Sequence, residues 1–277
     1  MTAKELKVGK YHLPIQEKTL VMGILNVTPD SFSDGGRYDR LDQAVEHARK
    51  LAADGADILD IGGESTRPSA TPVSLEEELE RVIPVIEAVV KEVDLPISVD
   101  TYKAEVAKQA IRAGAHIIND VWGAKKDPHM AQVAAELDVP IILMHNRPQT
   151  KYNSLIEDII TDLEESVQLA KQAGVKEEQI ILDPGIGFAK TYEMNLEVMR
   201  HLHRIVALGY PVLLGTSRKS FIGKALDGLP PTERVEGTAA TVAYGVVQGC
   251  QIVRVHDVKE MVRVCRMMDV MLYGSRQ

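Results

Sequence analysis

GILNVTPDSFSDGGRY, residues 23–38, decides how the chain reads. It continues an apolar run from Leu20 to Leu25 and ends that run on Asn26. A loop rich in Asp, Ser and Gly follows. An apolar strand that ends on a polar residue and opens into a Gly-containing loop is how an α/β enzyme builds part of a site. The plan recurs along the chain. Strands are predicted at 20–26, 57–61, 97–100, 117–119, 140–144, 180–182, 212–215 and 252–255. Helical patterns lie between them, near 41–54, 75–92, 103–113, 129–137, 153–174, 193–207, 233–247 and 257–273. Ser74 and Glu77 form a capping-box pattern. Gly55, Gly114, Gly174 and Gly209 sit just past helices, where a left-handed residue ends the turn. Pro96, Pro140 and Pro211 precede strands, outside the ladder.

Continuous apolar strands alternating with helices imply a parallel sheet covered by helices. Eight such units imply an α/β fold closed as a (β/α)8 TIM barrel. An open doubly wound sheet is the alternative, but no GxGxxG follows the first strand. The whole chain, 1–277, reads as one domain, with 1–19 a short hairpin or floor and 20–273 the barrel.

The 277 residues suit one such barrel, and 45% hydrophobic composition supplies a large core. A net charge of −8 argues against nucleic acid and anionic membrane as partners. Cys250 and Cys265 have no metal spacing and read as ordinary thiols of a reducing, cytoplasmic compartment. MTAKELKVGKYHLPI lacks the apolar stretch of a secretory signal. No apolar run approaches the ~18 residues of a membrane span.

In a barrel, the C-terminal ends of the strands face the active-site mouth. Here they carry Asn26, then Gly62 to Pro68, Asp100, Asn119–Asp120, Met144–His145, Asp183, Gly215 to Ser220, and Arg254 to His256. Asp120 and Asp257 read as caps of the next helix. His145 reads as a loop-shaping residue, Trp122 as packing at a loop base, and His201 and His203 as solvated. The ensemble reads as a site. Arg67, Lys219, Arg254 and His256, with the backbone of 62–63, suit a phosphate group. Asp100, Asn119 and Asp183 suit a neutral heterocycle rich in hydrogen-bonding groups. Ile142, Met144 and Phe188 supply apolar walls. Phe32, Phe188 and Phe221, all the phenylalanines of the chain, fall in or beside these loops, as a planar ligand would require. On the last helix, Val258, Met261, Cys265, Met268 and Leu272 form a core stripe. Val264, Met267 and Met271 form a second stripe.

These motifs resemble the dihydropteroate synthase family, in its bacterial, Bacillus-type form. GILNVTPDSFSDGG at 23–36, DIGGESTRP at 60–68, SVDTYK at 98–103 and IINDVWG at 117–123 carry the first half of the resemblance. LDPGIGF at 182–188, GTSRKSFIG at 215–223 and RVHDV at 254–258 carry the second. The resemblance implies a (β/α)8 barrel that joins (7,8-dihydropterin-6-yl)methyl diphosphate to 4-aminobenzoate in folate biosynthesis. It implies a pterin site of Asp100, Asn119, Ile142, Met144, Asp183, Phe188, Gly215, Lys219 and Arg254. The diphosphate falls to Asn26, Thr66, Arg67, Arg254 and His256, and Mg²⁺ to Asn26 and Asp34. The 4-aminobenzoate falls to Phe32, Thr66, Pro68, Phe188, Lys219 and Ser220. The implied catalytic set is Asn26, Asp34, Arg67, Lys219, Arg254 and His256, acting by dissociative displacement beneath closing loops at 27–38 and 63–73. The resemblance also implies a homodimer, which the second stripe would serve, and a sulfonamide target. Two alternatives use the same pterin residues: a methyltransferase that passes a methyl group from a folate to a corrinoid protein, and a catalytically silent pterin-binding module.

Overall fold

A computed structural model describes residues 5–28, 37–64 and 72–274. Two short strands, β1 (Leu6–Val8) and β2 (Tyr11–Leu13), pair antiparallel around Gly9, whose φ of 58° only glycine adopts freely. Eight parallel strands follow: β3 (Leu20–Asn26), β4 (Ile58–Gly62), β5 (Ile97–Asp100), β6 (Ile117–Asp120), β7 (Ile141–Met144), β8 (Ile180–Asp183), β9 (Leu213–Leu214) and β10 (Ile252–Val255). They run β8-β7-β6-β5-β4-β3-β10-β9, and a parallel bridge from Leu182 to Val212 joins the two ends. The (β/α)8 barrel predicted from the sequence is the fold.

Every barrel strand is buried on both faces, so the alternation of a two-layer protein is hidden within apolar runs. The two sets of residues separate instead into two clusters. Val21, Leu59, Ile61, Val99, Ile118, Leu143, Leu182 and Leu214 point outward beneath the helices. Leu20, Met22, Ile58, Ile117, Ile142, Ile181, Leu213 and Ile252 point inward and meet Leu6, Val8, Leu13 and Ile15 of the hairpin segment. The hairpin segment therefore packs against the lowest inward layer of the barrel. Each such fully buried aliphatic side chain contributes ~1.5–3 kcal/mol.

The helices are α1 (Arg37–Ala53), α2 (Leu75–Glu92), α3 (Ala104–Arg112), α4 (Met130–Glu136), α5 (Leu155–Ala173), α6 (Tyr192–Arg200), α7 (Leu202–Val206), α8 (Ser220–Ala225), α9 (Val235–Val247) and α10 (Val258–Tyr273). Ser74 Oγ accepts from Glu77 N at 3.1 Å, while the Glu77 carboxylate pairs with Arg81. The Pro96, Pro140 and Pro211 carbonyls accept from Leu59, Ile118 and Leu182 of neighbouring strands, so the missing N–H groups cost the ladder nothing.

Several boundaries differ from the sequence reading. The first helix starts at Arg37, inside the loop assigned to 27–38. The helix predicted over 193–207 breaks at His201, whose φ and ψ of −114° and 16° are not helical. The stretch at 233–247 begins with a 3-10 turn, Pro231–Glu233, before α9. The extra helix α8 follows β9, and Phe221 on it is 4% exposed in the core. Phe221 is thus packing, and the aromatic argument for a planar ligand loses it. On α10, Val258, Met261 and Cys265 are buried as predicted, but Leu272 is exposed. Met268 and Val264 both pack at the core edge, so the two stripes share it.

Candidate active site

Strand parity builds the site. On six of the eight strands, the inward position above the lowest inward layer is polar or bare. Ile58 is followed by Asp60, Ser98 by Asp100, Ile117 by Asn119, Ile181 by Asp183, Leu213 by Gly215 and Ile252 by Arg254. The register ties these levels together: Asn26 pairs with Gly62, Gly62 with Asp100, Asp100 with Asn119, and Asn119 with Ile142. A polar ring therefore sits directly on an apolar plug. Glycine at 62 is needed where β4 meets β5, because a Cβ there would lie 3.3 Å from the Asp100 Cβ.

Arg254 lies across the ring. Its Nε donates to Asp60 Oδ2 at 2.6 Å and its Nη2 to Asp100 Oδ2 at 2.8 Å. Asn119 Nδ2 donates to the same Asp60 oxygen at 3.2 Å. Burial opposes the charge of Arg254, but Asp60 and Asp100 outweigh it and raise its pKa further. Burial raises the Asp100 carboxyl to about 7, against the pull of Arg254. Asp60 Oδ1 and Asp100 Oδ1 are buried with no hydrogen-bond partner. Such oxygens are costly unless something supplies donors, and Asp100 stands where a ligand would. Asp60 was absent from the predicted site because it reads as the middle of an apolar strand. Its phase with Ile58 and Gly62, matched against Ser98 and Asp100, is the signal that finds it.

On the opposite wall, Asp183 Oδ1 accepts from Gly185 N at 2.7 Å, and burial raises the Asp183 pKa. Lys219 donates to the Ile186 carbonyl, and its Nζ lies 4.9 Å from the Phe188 ring centre. Burial pulls the Lys219 pKa down to about 8, while Asp183 works to keep it charged. Gly187, at φ 86°, leaves room for the Lys219 stem: a Cβ there would lie 3.0 Å from Lys219 Cδ. Gly215 borders the same group: the position of a Cβ there is 3.9 Å from Lys219 Nζ and 4.0 Å from Asp183 Oδ2, ordinary contact distances. At the rim, Ser217 Oγ and His256 Nδ1 are 2.9 Å apart, and His256 N donates to the same hydroxyl at 3.1 Å.

The structure brings Asp100, Asn119, Asp183, Lys219 and Arg254 together, with Met144 and Phe188 beside them. Ile142 belongs to the apolar layer below. Ser220 is exposed at the start of α8. Phe32, Asp34, Thr66, Arg67 and Pro68 lie outside the described residues. Asp120 caps no helix, because α4 begins at Met130 behind His129; it closes the turn after β6, accepting from Trp122 N at 2.9 Å and Ala124 N at 2.6 Å, and burial raises it to about 6. Asp257 makes no cap bond either: it occupies the N-cap position of α10 without a side-chain cap bond. Its carboxylate instead takes both Arg218 Nε and Nη2, at 3.0 and 2.5 Å, a fork that uses both oxygens. His145 does shape a loop, from a buried position between Asp162 and Lys190. Among the described residues no group of three His, Cys, Asp or Glu side chains is placed to bind a metal. Asn26 offers a single amide oxygen at the rim, which suits an ion that arrives with its own oxygen ligands and waters.

The family of pterin binding enzymes matches residues 22–256. The dihydropteroate synthase of Bacillus subtilis is 66% identical over 260 residues, covering 94% of this chain and 91% of that protein. A Clostridium difficile dihydropteroate synthase crystallised in the presence of pteroic acid superposes with a TM-score of 0.91 at 50% identity, covering 97% of this chain and 99% of the other. The Xanthomonas albilineans enzyme in complex with 7,8-dihydropteroate gives 0.89 at 41% identity, with coverage of 97% and 99%.

Proposed function

Because the chain belongs to the pterin-binding enzyme family, among its dihydropteroate synthases, we propose that the polar ring carries out that reaction on this chain's own residues. The reaction condenses (7,8-dihydropterin-6-yl)methyl diphosphate with 4-aminobenzoate, releases pyrophosphate and forms 7,8-dihydropteroate for folate biosynthesis. The observation that carries the reading is the convergence of Asp100, Asn119, Asp183, Lys219 and Arg254 on one buried ring above an apolar plug.

The pterin enters with its amidine-like edge toward Asp100, Asn119 and Asp183. A carboxylate accepts two N–H bonds from such an edge, and the unpartnered Asp100 oxygen is the acceptor in waiting. Lys219, held between Ile186 O and the Phe188 ring, donates to a ring acceptor. Arg254 keeps its Nε and Nη2 on carboxylates, which leaves Nη1 and the guanidinium face for the ligand. The rate problem is the charge that grows on departing pyrophosphate. Fixed cations that face this charge lower the barrier without reorganising. Arg254, His256 and Arg67 take that role. Mg²⁺, when bound through the Asn26 amide oxygen and Asp34, would neutralise diphosphate charge. The electron-rich pterin stabilises a positive methylene as the leaving group loosens. The arylamine is already nucleophilic, so no strong base is needed. The 4-aminobenzoate lies toward Phe188, Lys219 and Ser220.

A homodimer fits the exposed apolar surface of α9 and α10. Tyr244 and Val247 on one helix and Met267 and Met271 on the next are 45–59% exposed. No helix among the described residues is long and apolar enough to cross a membrane, and we place the enzyme in the cytoplasm. Pyrophosphate release that requires both substrates together tests the function. Failure to form 7,8-dihydropteroate from the two substrates together would refute the synthase reading.

A further inference from the structure

The loop after β8 is unusually conditional. Gly185, Gly187 and Ala189 all lie in the left-handed region, at φ of 67°, 86° and 46°. For Ala189 this conformation is strained, so neighbouring contacts must hold it. The loop also carries two groups of the pterin wall. Its Gly185 N–H fixes the Asp183 carboxylate at 2.7 Å, and it presents Phe188 beside Lys219.

Lys190 ends the loop and folds back beneath it. Its Nζ donates to Gly185 O at 2.9 Å and to Phe188 O at 3.1 Å, and lies 2.9 Å from His145 Nδ1. Three acceptors match the three protons of the ammonium form, which burial disfavours and Asp183 supports, so that the Lys190 pKa falls to about 7. The histidine is set for this partner. Its Nε2 lies 3.0 Å from Asp162 Oδ2, which Arg147 Nε also contacts at 2.5 Å. Donation from Nε2 to Asp162 leaves the Nδ1 lone pair for Lys190. Burial lowers the His145 pKa to about 4, which keeps that lone pair free. Space is tight as well, since a Cβ on Gly185 would overlap the His145 carbonyl oxygen. Nothing in the pterin chemistry uses Lys190, His145 or Asp162 directly.

We propose that Lys190 is a positioning residue for the pterin site: its ammonium, oriented by His145, pins the Gly185 and Phe188 carbonyls so that Asp183 and Phe188 stay placed for the ligand. The proposal rests on the pterin reading of Asp183 given above. It makes Lys190 a determinant of pterin affinity first, through Asp183 and Phe188 together, with a smaller effect on the arylamine side, which shares only Phe188.

Lys190→Met keeps the stem and removes every donor. The expected result is a roughly tenfold or greater rise in the dissociation constant for (7,8-dihydropterin-6-yl)methyl diphosphate, measured by calorimetry. The KM for 4-aminobenzoate at saturating pterin diphosphate should change clearly less than that dissociation constant. A folded Lys190→Met enzyme with unchanged pterin affinity would overturn the proposal, as would equal losses toward both substrates. A pair at His145 decides the same point if Lys190→Met does not fold. His145→Asn keeps an acceptor near the Nδ1 position and should retain most pterin affinity, whereas His145→Leu should lose it. Equal affinities in that pair would overturn the proposal. Wild-type enzyme that released no pyrophosphate with both substrates would instead strike at the reading of the function.

Discussion

Asp60→Ala separates a residue that aims the site from one that merely fills it. In the native ring Asp60 Oδ2 holds Arg254 Nε at 2.6 Å and Asn119 Nδ2 at 3.2 Å, and its other oxygen has no partner. Removing one partner of a buried ion pair costs ~3–5 kcal/mol when the survivor is left alone. Arg254 is not left alone, because Asp100 remains 2.8 Å from its Nη2. The substitution also removes an unsatisfied buried carboxylate oxygen, which offsets part of the loss. Folding stability should therefore fall by only about 1 kcal/mol or less. Pterin affinity should fall more. Released from Asp60, the guanidinium can close as a two-pronged fork on Asp100 and take the oxygen that stands free for the ligand. Loss of one charge-assisted hydrogen bond to the ligand is worth ~1.5–3 kcal/mol, or roughly ten- to a hundredfold in affinity. Calorimetric titration with (7,8-dihydropterin-6-yl)methyl diphosphate, alongside urea unfolding, reads both quantities. Asp60→Asn, which keeps an acceptor for Arg254, should show a smaller loss. Pterin affinity within twofold of wild type, combined with a stability loss near the full ion-pair value, would refute this reasoning.

Three further outcomes are expected. Asp183→Ala should weaken pterin binding by ~1–3 kcal/mol through loss of a buried acceptor, and unchanged calorimetric affinity would contradict the assignment. Folding stability should decline as pH falls from about 6.5 toward 4: unfolded His145 takes up a proton in that window, while the native ring, facing Lys190, Arg147 and Asp162, stays neutral. The shift corresponds to roughly 3 kcal/mol, and His145→Asn should flatten that part of the urea-denaturation profile against pH. Met267→Glu combined with Met271→Glu should yield a monomer by sedimentation at micromolar concentration with turnover largely retained. A wild-type protein that is already monomeric would remove the dimer.

The fold was legible because the strands are unbroken apolar runs whose polar ends fall at the same relative place in each unit. Asn26, Asp100, Asn119, Asp183 and Arg254 all stood out for that reason. What escaped depended on partners distant in the chain. Asp60 meets Arg254 across 194 positions, and only the closed ring reveals why a charge belongs inside strand β4. Asp257 sits where caps belong, yet Arg218 offers its carboxylate a charged fork that backbone N–H groups do not match. Leu272 followed the helical period, but Val270, Met271, Leu272 and Tyr273 at the end of α10 are all exposed, so no face of that last turn is core. Helix α8 escaped because SFIGKA is short, carries Gly223 and has little periodic signal.

The closure between β8 and β9 has a mechanical meaning. Around the rest of the barrel, neighbouring strands share ladders of two or more pairs, but here a single bridge joins Leu182 to Val212. Directly above that seam, Lys219 reaches from the β9 side to the Ile186 carbonyl on the β8 side, and Asp183 faces it. The groups that we propose to grip the pterin are therefore also the clasp of the hoop. A ligand held by Asp183 and Lys219 tightens the barrel where its hydrogen bonding is thinnest. Amide exchange at Leu182 and Leu214 should then slow on pterin binding more than at strands β4 and β5 on the far side of the ring.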